Sequence, residues 1–201
     1  KLVSGVKVFM GASTGNMLVD DPKILERLFA NVPTILLTHC ESTPRIKQRE
    51  AFYRNRYGED IPASMHPQIR DVQACFESSQ LAVTLAQKYA TQLHVLHITS
   101  AKELALFQNV PLNQKHISAE VCIHHLSFDE SDYEKLGHLI KCNPAIKSKN
   151  DKQALINAVA TSNVLDIIGT DHAPHTWQEK QQPYFQAPAG LPLVQHAIPA
   201  L

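Results

Sequence analysis

Short apolar runs rich in β-branched residues alternate along this chain with longer segments of helical patterning. The runs are Val6 to Met10, Thr34 to His39, His94 to Ile98, His116 to Val121 and Leu165 to Gly169. Each is followed by polar, Pro- or Gly-bearing sequence, which predicts a strand that ends in a loop. Between them, Pro22 to Ala30 reads as a helix capped by Asp21 with Pro22 at its first position, and Gln68 to Ala90 as a long Ala-, Gln- and Leu-rich helix. Shorter helices fit Ala101 to Phe107, Asp129 to Leu136 and Asn150 to Thr161. Such alternation predicts βα units around a parallel sheet. One polar stretch, Glu41 to Pro67, interrupts it; it reads as an elaborated loop after the second strand, bearing Arg45, Lys47, Arg49, Glu50, Arg54 and Arg56.

Composition narrows the class of partner. With 19 basic and 19 acidic side chains in 201 residues and no basic block, neither nucleic acid nor an anionic membrane is expected, and a small molecule is. No apolar stretch approaches the roughly 18 to 20 residues of a membrane span, so the protein is expected in the cytosol. Cys40, Cys75, Cys122 and Cys142 form no C-x-x-C and read as reduced thiols. The 11 histidines are in excess, and histidine is the commonest metal ligand at neutral pH.

Polar residues fall where catalytic groups gather in parallel α/β folds, at the C-terminal ends of strands. Lys7 lies inside the first strand, His39 ends the second, His97 is near the end of the third, and Asp171 follows the fifth. Desolvation of a lysine in an apolar strand lowers its pKa from about 10.4 and favours the neutral amine, which reacts with carbon dioxide. The resulting carbamate on Lys7 would bridge two divalent ions, zinc first among the candidates, with cobalt and manganese also compatible. His39 and His97 would each give an imidazole nitrogen at about 2.0 to 2.1 Å. Asp171 would complete the other ion's shell and carry a proton from the nucleophile to the departing nitrogen. Singly, each residue has a plainer role: a hydrogen-bonded histidine, a half-exposed strand lysine, a helix cap. Their coincidence on successive strand ends is what points to a metal-dependent hydrolase.

The motifs resemble those of the amidohydrolase superfamily of metal-dependent (β/α)8-barrel hydrolases, and within it the dihydroorotase branch. Gly5 to Leu18, with Lys7, is similar to the family's carboxylated-lysine strand and the loop after it. Thr38-His39-Cys40-Glu41 and Leu96-His97-Ile98-Thr99-Ser100-Ala101 resemble its two single-histidine motifs, and Thr170-Asp171-His172-Ala173-Pro174-His175 its most specific motif. Ala119 to Leu126 and Lys141-Cys142-Asn143-Pro144 are similar to the segments leading into the substrate site. The resemblance implies that Asn143 and His175 bind the ring, that backbone at Pro188, Ala189 and Gly190 closes over it, and that dihydroorotate and N-carbamoyl-aspartate are interconverted. It also makes hydantoinases, dihydropyrimidinases and allantoinases the nearest alternatives, and a non-catalytic scaffold barrel the alternative of another class.

Two departures accompany the resemblance. The family's His-x-His pair and the substrate arginine after it are absent, and Gln195 stands where many relatives have glutamate. Five strands are too few to close a barrel of about 250 residues. The chain is therefore expected to be a partial TIM barrel, about strands 4 to 8, with strands 1 to 3 outside residues 1–201. A homodimer is the default expectation for such an enzyme. His172 is expected to support the site, and His124 and His125, taken as strand neighbours facing opposite ways, to be structural.

Overall fold

A computed structural model describes residues 3–11 and 16–201. The stretch of the lysine-strand motif from Ala12 to Gly15 lies outside the described residues. In chain order the elements are β1 (Val6–Phe9), α1 (Pro22–Asn31), β2 (Leu36–His39), α2 (Thr43–Tyr57), α3 (His66–Ile69), α4 (Val72–Tyr89), β3 (Leu93–Val95), α5 (Ala101–Leu104), β4 (Ile117–Cys122), α6 (Ile123–Ser127), α7 (Tyr133–Leu136), α8 (Lys149–Thr161), β5 (Ile167–Gly169) and α9 (Trp177–Lys180).

The strands form one five-stranded sheet in the order β1-β2-β3-β4-β5, every neighbouring pair parallel. Parallel pairing of consecutive strands requires each chain reversal to travel through a crossover, which brings every strand's C-terminal end to the same rim. Phe9 is in register with His39, and Cys122 with Gly169. Val8, Leu36, Leu93, Val95, Ala119 and Val121 share a core with Leu25 and Phe29 of α1, Ala82 and Ala86 of α4, and Leu155 of α8. Helices thus cover one face of the sheet. Among the described residues β1 and β5 do not pair, so the sheet is an open arc of a barrel, and on β5 Ile167 and Ile168 remain 45% and 37% exposed.

Several elements differ from the sequence expectation. Glu41 to Pro67 is mostly helix, not loop: α2 follows Ser42, carries Pro44 in its first turn and stops at Gly58, whose φ of 66° suits glycine. Only Ile46 of α2 is buried, so the apolar periodicity that would announce the helix is missing. The expected Gln68 to Ala90 helix is interrupted where Arg70 leaves helical geometry and Asp71 caps α4, accepting from the Ala74 amide. Helical structure around Asp129 to Leu136 is split into a 3-10 turn and the short α7, and α5 ends at Leu104 rather than Phe107. Among strands, β3 ends at Val95, short of Ile98, and β5 starts only at Ile167. No helix among the described residues is long and apolar enough to cross a membrane.

Candidate functional site at the C-terminal rim

A cavity of about 350 Å³ opens at the C-terminal rim of the sheet, and Lys7, His39, His97, Asn143, Asp171, His175, Pro188, Ala189 and Gly190 all line it. The sequence-predicted residues, spread over almost the whole chain, therefore meet at one place.

Strand alternation decides the first of them. Val8 points into the core beneath the helices, so Lys7 and Phe9 face the other way, into the cavity. Lys7 is exposed, with Nζ 4.7 Å from the centre of the Phe9 ring. This corrects the expectation of a desolvated lysine: the side chain stands on the concave side of an open arc, which is wet.

His39 ends β2 and is buried. Its Nε2–H donates to Glu41 Oε2 at 2.8 Å, which leaves the lone pair on Nδ1, 3.1 Å from Nε2 of the equally buried His97. His97 Nδ1 has no partner among the described residues. Neutral His97 has one bare nitrogen: either Nε2 presents a lone pair to that of His39, or Nδ1 is left an orphaned acceptor. Buried polar groups are rarely left so. Two imidazole nitrogens sharing one tetrahedral ion would be about 3.3 Å apart, so the pair fits a shared cation well. Burial pushes the His97 pKa well below its ordinary value, with His39 adding to the effect, which keeps the ring in the neutral form that a metal needs.

Glu41 is fully buried and also accepts from Arg70 Nη1 at 2.6 Å. Burial alone would raise its carboxyl, but the Arg70 charge and the His39 hydrogen bond outweigh it and hold the pKa down at about 2. Arg70 and Glu41 thus fix which nitrogen of His39 faces the cavity. Neither was singled out for this role from sequence; the available signal was that Glu41 stands two residues after a strand-end histidine.

Both His97 and Asp171 lie just past strand ends with left-handed backbone, φ 39° and 42°. Non-glycine residues avoid that region at a cost on the order of 1–3 kcal/mol, and such residues cluster at functional sites. Asp171 sits at the accessible rim, yet desolvation of its carboxyl still raises the pKa, opposed by Lys7 and His39 and assisted by Glu120.

The opposite wall is built around the segment after β4 and the loop from Tyr184 to Gly190. Asn143 Oδ1 is buried without a protein partner among the described residues. His66, fully buried, donates from Nε2 to Cys142 O and accepts the Tyr184 hydroxyl at Nδ1, each at 2.8 Å. Lys180 donates to the carbonyls of Lys141, Pro188 and Gly190, and Lys141 to those of Tyr184 and Ala187. These lysines carried no assigned role in the sequence reading, because a lysine looks the same in sequence whether it is solvated or buried. His175 is half-buried, 4.0 Å from Glu179.

Two further histidine expectations can be placed. His172 accepts the Val194 amide at Nδ1 and so fastens the C-terminal segment beside the site. His124 and His125 lie on α6, not on a strand, with ring centres 4.1 Å apart, which removes the opposite-faces argument. Both are buried off the cavity wall, grouped with Cys122 so that one ligand atom from each lies within 4.8 Å of the others.

Comparison with known proteins decides the kinship. The chain is 31% identical over 174 residues to a dihydroorotase of Staphylococcus epidermidis, covering 86% of this chain and 39% of that protein. It is 30% identical over 194 residues to a dihydroorotase of Staphylococcus aureus, covering 96% and 43%. The chain is a homologue of dihydroorotases. No family model matches it. As a fold, this dihydroorotase homologue superposes on a D-hydantoinase with a TM-score of 0.86 at 20% identity, over 99% of its length and 44% of the other chain. It matches a Saccharomyces cerevisiae dihydroorotase, solved in complex with 5-fluoroorotic acid, with a TM-score of 0.72 at 23% identity over 98% and 53%. Its fold is that of part of a TIM-barrel amidohydrolase, and it spans about two-fifths of the length of the curated relatives it matches.

Proposed function

We propose that this chain is the later part, about strands 4 to 8, of the catalytic barrel of a longer dihydroorotase, which reversibly hydrolyses the cyclic amide of L-dihydroorotate to N-carbamoyl-L-aspartate. The observation that carries the reading is the buried His39–His97 pair: two nitrogens 3.1 Å apart, one lone pair fixed by Glu41, and no partner among the described residues for the remaining ring nitrogen. An arrangement with that deficit suits a cation, and the kinship supports a cyclic-amide substrate.

His39, His97 and Asp171, with Lys7 as its carbamate, are the residues that would hold two divalent ions, zinc foremost. When bound, those ions supply water activation at neutral pH and polarise the amide carbonyl. Asp171 takes the proton of the attacking water at a carboxylate oxygen and returns it to the departing amide nitrogen. Asn143 offers its unpartnered Oδ1 to a ring N–H, His175 meets the ring's polar edge, and backbone from Pro188 to Gly190 closes above. A small-molecule substrate also accords with the zero net charge.

The test is turnover by the complete enzyme of dihydroorotate beside hydantoin and allantoin, with metal analysis on the same sample. Dihydroorotate is expected to be preferred and at least one divalent ion to be retained per chain. Asp171→Asn is expected to lower kcat by at least about 100-fold, the lower end of typical acid–base contributions, with little change in KM. Preference for another ring, or full activity in the Asn variant, would contradict the substrate and the proton role respectively.

A further inference from the structure

Cys122, His124 and His125 lie off the rim cavity and take no part in the chemistry above. Cys122 closes β4 and caps α6, and the two histidines stand in the first turn of that helix, so a Cys-x-His-His run folds together at one strand end. All three are buried, at 0%, 2% and 3% exposure. A ligand atom from each lies within 4.8 Å of the other two, and the imidazole centres are 4.1 Å apart. A sulfur and two nitrogens around one tetrahedral ion stand about 3.3 to 3.6 Å apart, a contraction that side-chain rotation supplies.

The hydrogen bonding of the group is unfinished in the way a cation would finish it. His125 Nε2–H donates to the Pro144 carbonyl at 3.1 Å, which leaves the lone pair on Nδ1; that nitrogen is buried and has no partner among the described residues. His124 Nδ1 is buried and unpartnered there as well. Buried polar atoms are seldom left so, and apolar side chains would fill the same space without the cost of orphaned nitrogens. A backbone carbonyl on the far ring nitrogen is the partner a ligating histidine usually has, because it fixes the tautomer and the ring orientation. Burial lowers the pKa of both rings, that of His124 to about 4, so both are neutral at pH 7. The Cys122 thiol is bound by nothing stronger than a 4.0 Å contact to Glu120 Oε1, and burial with the Glu120 charge keeps it protonated while no cation is bound.

We propose that Cys122, His124 and His125 hold a structural ion of the zinc class, separate from the two ions of the rim. One thiolate with two imidazoles is a borderline-soft set that suits zinc and not magnesium or calcium, which take oxygen ligands. On binding, the Cys122 S–H bond breaks, its proton goes to solvent and the sulfur bonds the ion, with no change of oxidation state. The ion ties the end of β4 to α6 and, through His125 and the Pro144 carbonyl, steadies the segment that brings Asn143 to the cavity wall. Nothing in this depends on the hydrolase reading.

The complete enzyme is stripped with a chelator and titrated with cobalt(II), a spectroscopic substitute for zinc. A near-ultraviolet thiolate-to-cobalt charge-transfer band is expected, and it reports this site because Lys7, His39, His97 and Asp171 include no sulfur. Cys122→Ala is expected to abolish the band. His124→Leu, which leaves the thiol in place, is expected to raise the cobalt Kd read from the band at least about 100-fold, the upper end of what loss of an outer-sphere partner costs. A wild-type enzyme without the band overturns the site, and that result needs no variant to fold. A band that survives Cys122→Ala, or an unchanged Kd in His124→Leu, overturns it too.

Discussion

Gly190 is where the loop over the cavity comes closest to the segment that follows Asp171. A Cβ there would lie 2.5 Å from the Ala173 carbonyl oxygen and 2.6 Å from the Ala173 Cβ, at a φ of 144° that L side chains avoid. Gly190→Ala must therefore push the two segments apart. Displacement on the order of 1 Å near a reacting centre costs about 100-fold in rate. We expect kcat/KM of the complete enzyme to fall by that order while its far-UV dichroism is unchanged, and unaltered kinetics would show that the close approach is irrelevant to turnover. Away from the site, Asp129 accepts from Lys152 Nζ at 2.6 Å and from Ser131, and these bonds hold its pKa down at about 2. A carboxylate depressed on folding stabilises above its unfolded pKa of about 3.9, and that contribution disappears as pH falls through about 2. Urea midpoints should accordingly show Asp129→Asn less stable than wild type at pH 6 and equal to it near pH 2.

At the scale of elements, the polar helix α2 depends on a residue outside itself. Asp71 caps α4 through the Ala74 amide at 2.9 Å, and it receives Arg45 in a two-point contact at 2.8 and 2.7 Å, with Arg49 at 3.3 Å. Loss of a cap costs about 1 kcal/mol and loss of a partly buried charge-assisted pair a similar amount. Asp71→Ala should destabilise the protein by about 2 kcal/mol in urea unfolding, and a change below about 0.5 kcal/mol would remove Asp71 as the joint between α2 and α4. The same joint explains what was legible. Amphipathic α1 and α8 announce themselves because they bury apolar residues at helical spacing, such as Leu25 and Phe29. Helix α2 buries only Ile46 and is held by arginines reaching to Asp71, a contact between distant positions that no local window contains. Arg70 breaks the expected long helix for a comparable reason: its side chain ends on buried Glu41, 29 positions away.

For the whole molecule, the open arc leaves β5 with exposed isoleucines at an unpaired edge, and exposed edges invite pairing. If the chain is the later part of a closed barrel, the β5 amides should exchange hydrogen more slowly in the complete enzyme than in residues 1–201 alone. Equal exchange rates in the two would argue against closure at that edge.

What the sequence by itself determined is the chemistry available and its spacing relative to the strands. Lys7, His39, His97 and Asp171 each stand in or just past an apolar run, and parallel alternation is enough to bring such positions to one rim. What only the tertiary structure decided is the state of those groups. Which nitrogen of His39 is free depends on Glu41, itself held by Arg70; Lys7 proves wet because the sheet is an open arc; Lys141 proves buried because a loop more than 40 positions onward folds over it, and Lys180 because it reaches back to the Lys141 carbonyl, 39 positions away. Residue type and period are local and can be read along a chain. Desolvation, tautomer and counter-charge are properties of neighbours in space, so they come into being only when the chain has folded.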